Sequence, residues 1–108
     1  MKTITKDELK KKIDSKEQVQ VVNVLSPDYY HLGFIEGSKR IPVSELNERS
    51  NELDKSKAVV TYCASKDCHA SLDGAKILES KGFKVEAYEG GIKEWKEAGL
   101  PMDMTKAA

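Results

Sequence analysis

The sequence has no excess of either charge: 18 Lys and Arg balance 18 Asp and Glu over 108 residues. Without a field of one sign, nothing draws a polyanion to the surface, so neither nucleic acid nor an anionic membrane is an expected partner. Long apolar runs are missing as well. The stretch Met1-Lys2-Thr3-Ile4-Thr5-Lys6-Asp7-Glu8 lacks the apolar core of a signal peptide, and no run approaches membrane-spanning length. A cytoplasmic location is therefore expected. Cysteine is scarce: Cys63 and Cys68 are the only two. Lying five positions apart, they would close only a tiny loop, a poor structural staple, and a reducing compartment would keep them as thiols. Chemistry explains them better than architecture. The length suits one compact domain, 1–108.

The stretch Val59-Val60-Thr61-Tyr62-Cys63-Ala64-Ser65-Lys66-Asp67-Cys68-His69-Ala70-Ser71 organises the rest. An apolar run ends on Cys63, mostly small or polar residues follow, and helical spacing then begins. This predicts a strand, a tight loop and a helix start. Backbone N–H groups at a helix start have no intrahelical partners and carry the positive end of the peptide dipole, so an anion in such a loop is stabilised. Thiolate is the reactive form of cysteine, and Cys63 is accordingly read as a nucleophile with a lowered pKa. A small buried hydrophobe at a strand end is the bland alternative.

Along the chain, Thr5 and Glu8 have capping-box spacing, and Leu9 and Ile13 recur four apart, predicting an amphipathic helix over 6–15. The apolar run from Val19 to Leu25 suits a strand covered on both faces. Ser26-Pro27-Asp28 starts a short helix through Tyr29, Tyr30 and Leu32 that Gly33 can end. After a turn at Gly37, Lys39-Arg40-Ile41-Pro42 reads as a brief strand, and Val43-Ser44-Glu45-Leu46 as the start of another helix. Residues 47–57 are too charged for burial and should hold that helix's end and a solvated loop. Ala58 to Tyr62 is the strand feeding Cys63. A helix over 70–81, a strand over 85–88 and a final helix carrying Ile92, Trp95 and Ala98 follow, and the tail after Met104 should fray. Alternating strands and helices with short connections predict an α/β fold with a mostly parallel sheet and helices on both faces. Ligands bind beyond the carboxyl ends of such strands, where Cys63 is expected to lie.

Three segments then resemble the rhodanese family, over about residues 3–101. They are Ser26-Pro27-Asp28-Tyr29-Tyr30 through Gly33-Phe34-Ile35-Glu36-Gly37-Ser38 and Ile41-Pro42-Val43; Val59 to Cys68; and Tyr88-Glu89-Gly90-Gly91-Ile92 with Trp95 and Gly99-Leu100-Pro101. The resemblance implies a single rhodanese-like domain and a sulfurtransferase, with no metal or organic cofactor. Cys63 would hold a sulfane sulfur as a persulfide, received from polysulfide, thiosulfate or a protein persulfide and passed to a thiol, cyanide or sulfite. Loop residues Ala64, Ser65, Lys66, Asp67, Cys68 and His69 would bind the substrate, their inward amides neutralising the anionic sulfur.

Departures from the family pattern shape the reading further. Cys68 stands where family members often carry Arg, which removes a bidentate grip on an oxyanion and weakens the case for thiosulfate. Asn23-Val24-Leu25 replaces the usual Asp-Val-Arg, and Phe34 a frequent His. Cys68 is either a packed thiol at the helix start or a resolving thiol, since loop curvature can bring it to the ~5.5 Å Cα separation of a disulfide. His69 is a capping or solvated residue, or a general acid. Cys63, Cys68, His69 and His31 fit no common zinc spacing, so no metal is expected. Rival readings are a dithiol oxidoreductase or arsenate-reductase-like enzyme using Cys63 and Cys68, and a noncatalytic binding module of the same fold.

Overall fold

A computed structural model describes residues 2–15, 18–65 and 68–103. Its centre is a parallel sheet in the order β1-β6-β5-β2-β4, formed by Lys2–Ile4 (β1), Val19–Asn23 (β2), Lys39–Arg40 (β4), Ala58–Tyr62 (β5) and Val85–Tyr88 (β6). The strand β5 is central because Val59, Val60, Thr61 and Tyr62 are all buried, leaving it no solvated face. In register, Val60 lies opposite Val21 on β2 and Glu86 on β6.

Helices Lys6–Asp14 (α1), Val43–Arg49 (α2), Ala70–Ser80 (α3) and Gly91–Glu97 (α4) flank the sheet. The α1 capping box forms as its spacing predicts: Glu8 N–H donates to Thr5 Oγ1 (3.2 Å) and Thr5 N–H to Glu8 Oε1 (3.0 Å). Its one fully covered apolar side chain, Leu9, enters the core. Packing of α3 against α2 and the segment that follows β2 is unusually close. A Cβ at Gly74 would stand 3.0 Å from Leu46 Cδ1 and 3.1 Å from Val24 Cγ1.

The short helix expected after Ser26 forms as a 3₁₀ helix over Pro27–Leu32, with Gly33 at its end. Two other local expectations are corrected. The strand expected through Leu25 ends at Asn23, and Val24 and Leu25 continue as a buried irregular segment beside the start of α2, with Val43 N–H donating to Val24 O (3.0 Å). Within the polar stretch 47–57, Leu53 is buried against the core. Three strands had no sequence expectation: β1, with Ile4 as its sole buried residue, and Phe34–Ile35 (β3) and Met102–Asp103 (β7), which pair as an antiparallel ribbon. The tail after Met104 lies outside the described residues.

Candidate active site

Cys63 follows β5 directly, at the carboxyl end of the sheet, and is fully buried. Its loop is held from outside by α4. Ile92 N–H donates to Cys63 O and Lys93 N–H to Ala64 O, both at 2.9 Å. These donors belong to the first turn of α4, whose N–H groups need partners outside the helix. Gly91 makes the approach possible: at φ 68° it adopts the left-handed region, and a Cβ there would lie 2.5 Å from Cys63 O and 2.7 Å from Ser65 N. Read in sequence as a turn signal, the glycine pair therefore also serves as a seat for the cysteine loop. Trp95 anchors the same helix, stacking edge-to-face on Tyr88 (5.9 Å between centroids) while its Nε1–H donates to Pro101 O (2.8 Å).

Around the sulfur, the structure corrects the expected lowered pKa. Cys63 Sγ–H donates to Cys68 O at 3.3 Å and, more weakly, to Ser65 O at 3.9 Å, so two carbonyls of the described loop residues face it. Burial pushes the Cys63 thiol up to about 11, reinforced by Cys68 and opposed by the N–H and hydroxyl of Ser71. Ser71, on the first turn of α3, is itself buried. Its carbonyl accepts from Thr61 Oγ1 (2.8 Å), tying the helix start back to β5.

The other expected site residues divide. Ala64, Ser65 and Cys68 are half-buried around Cys63, and Cys68 N–H closes a turn onto Ser65 O (3.0 Å). Lys66 and Asp67 lie outside the described residues. His69 is exposed at the N-cap of α3 and its side chain makes no capping bond; its carbonyl accepts from Asp73 N–H (3.0 Å). Both cysteines are free thiols. The basic segment at Lys39 and Arg40 faces elsewhere: Arg40 stacks over the Phe34 ring (3.6 Å) and Lys39 Nζ donates to Glu52 O (3.0 Å).

Beside the loop opens a cleft of about 640 Å³. Ala64, Cys68 and Ala70 contribute its floor, and Val24 and Leu25 one wall. Tyr29 from the 3₁₀ helix and Pro42 and Val43 at the start of α2 complete it. Sequence reasoning missed these walls. The rule placing ligands beyond strand carboxyl ends would have found Val24, because it follows β2 as Cys63 follows β5. Further below the site, Tyr62 Oη accepts Ile35 N–H (3.0 Å) and bonds Ser38 Oγ (2.7 Å), fixing β3 against β5.

Fold and site together define a class: parallel α/β domains that present a cysteine loop at the carboxyl end of a central strand. More particularly, residues 5–98 match the Rhodanese-like domain, and the chain belongs to that family. It is 35% identical to the HTH-type transcriptional regulator Rv0324 of Mycobacterium tuberculosis over 93% of its own length and 44% of that protein. A protein named sulfurtransferase from Allochromatium vinosum is 28% identical over 92% of both chains. The crystal structure of a rhodanese-like domain protein from Staphylococcus aureus superposes with a TM-score of 0.82 at 31% identity, covering 95% of this chain and 99% of that one.

Proposed function

We propose that this chain is a sulfurtransferase that carries sulfane sulfur on Cys63 in a reducing, cytoplasmic setting. The observation that supports it most is the single buried thiol at the carboxyl end of β5, on a loop clamped by α4 and bordered by an open cleft. The Cys63 proton leaves first. The thiolate then attacks the outer sulfur of the donor, the donor S–S bond breaks, and the leaving group departs with the bonding pair. A thiol, cyanide or sulfite next attacks the outer sulfur of the persulfide and returns Cys63 as thiolate. Incubation with polysulfide followed by cyanide should release thiocyanate stoichiometrically with protein, and Cys63→Ser should release none while keeping native circular dichroism. Release from Cys63→Ser would overturn the assignment. Absence of release from the wild type would favour a binding module of the same fold.

Cys68 is assigned as a resolving thiol, because its carbonyl already meets the Cys63 sulfur and it borders the same cleft. Its thiolate attacks the inner sulfur of the persulfide, hydrosulfide leaves, and a Cys63–Cys68 disulfide forms. Loaded wild-type protein should lose its persulfide with time and be restored by dithiothreitol, whereas Cys68→Ala should hold the persulfide longer. Equal lifetimes would leave Cys68 a packing residue.

A further inference from the structure

The cleft beside Cys63 has no charged side chain among the described residues that line it. Its walls are Val24, Leu25, Tyr29, Pro42 and Val43, its polar side-chain groups are the hydroxyls of Ser26, Ser44 and Tyr29, and a thiol, Cys68, lies where it meets the loop. An oxyanion entering this space gives up water without gaining a cation from those walls, a costly exchange. An apolar substituent gains from the same exchange. At about 640 Å³ the space is also far larger than a bare chain of sulfur atoms needs and matches the clefts that take small organic ligands.

From this we infer that the preferred sulfur donor is the hydropersulfide of an uncharged, apolar thiol, its organic arm lying on Leu25, Tyr29, Pro42 and Val43 and its outer sulfur directed at Cys63. The inference rests on the sulfurtransferase reading and narrows it to a substrate class. In the loading step, the Cys63 thiolate attacks the outer sulfur of R–S–SH, the S–S bond breaks, R–S⁻ leaves with the electron pair, and Cys63 carries –S–SH. No oxidant or reductant is consumed. Tyr29 is half exposed at the rim, where its ring covers the arm while staying outside the core.

The test compares loading of the full chain by benzyl hydropersulfide, glutathione persulfide and thiosulfate, read as the mass of one added sulfur atom and as kcat/KM for transfer to cyanide. The apolar donor should exceed each charged donor at least tenfold. Tyr29→Ser should shrink that advantage several-fold. Ser44→Lys, at an exposed position, should shrink it as well by improving thiosulfate. Equal or better use of thiosulfate or glutathione persulfide by the wild type would overturn the inference and leave the sulfurtransferase reading standing. An advantage unchanged in both variants would overturn the place assigned to the arm. Failure of the apolar donor to add sulfur to a chain that polysulfide loads would overturn the inference alone, and failure of polysulfide as well would overturn both readings together.

Discussion

Cys63 and Cys68 are five positions apart in the chain, yet they meet different surroundings: one is fully buried behind the loop, the other half-buried at the cleft. Burial, reinforced by the neighbouring Cys68 side chain, holds Cys63 as a neutral thiol, raised from 9.0 to about 11. Alkylation by iodoacetamide should therefore be slow at neutral pH and climb through the alkaline range toward a midpoint near 11. An acid whose pKa rises on folding stabilises the native state fully below its ordinary value, and that contribution is lost as pH rises through the raised one. For Cys63 the window is 9.0 to about 11, and a urea titration across it should show a falling midpoint that Cys63→Ser flattens. Rapid alkylation at neutral pH would contradict this account. At position 68, Cys68→Arg should restore a grip on an oxyanion. A charged hydrogen bond is worth about 1.5 to 3 kcal/mol, so the Michaelis constant for thiosulfate should fall about ten- to a hundredfold relative to that for polysulfide. An unchanged ratio would count against the role given to this position.

Among the elements, α4 does more than its sequence signal suggested. The glycine pair was legible as a tight turn, but that its helix would hold the Cys63 and Ala64 carbonyls was not, because this contact joins residues far apart in the chain. Gly91→Ala forces a left-handed backbone, at a cost of about 1 to 3 kcal/mol, and drives a Cβ into Cys63 O. Chemical denaturation should show at least that loss, and sulfur loading of the folded fraction should drop with it. An unchanged midpoint would mean that α4 does not seat the loop. The short ribbon of β3 and β7 was illegible for a different reason. Strands of two residues carry no periodicity, and what binds β3 to the sheet is the Tyr62 hydroxyl, a long-range bond. The 3₁₀ geometry of Pro27–Leu32 escaped as well, since the N-cap and proline signals mark where a helix starts and leave open how tightly it winds.

For the whole molecule, the alternation of apolar strands with amphipathic helices was enough to establish a parallel α/β sheet and to place Cys63 at its carboxyl end. What sequence reasoning could not supply was the surrounding of the sulfur. A loop and helix start were legible, but the balance between burial and anion-stabilising donors depends on which backbone groups turn inward. In this structure the carbonyls of Ser65 and Cys68 do so, and the neutral thiol is favoured. Under the proposed sulfurtransferase reading, loading of Cys63 starts with the loss of a proton from a buried group and should accelerate with pH. The central claim is that Cys63 is the atom on which sulfur travels. Because Lys66 lies between the two cysteines, tryptic cleavage separates them. After incubation with polysulfide in mildly alkaline buffer and blocking of free thiols, peptide mass spectrometry should find one added sulfur on the Cys63 peptide. The same peptide from Cys63→Ser should carry none; an added sulfur confined to the Cys68 peptide, or found on neither, would contradict the account.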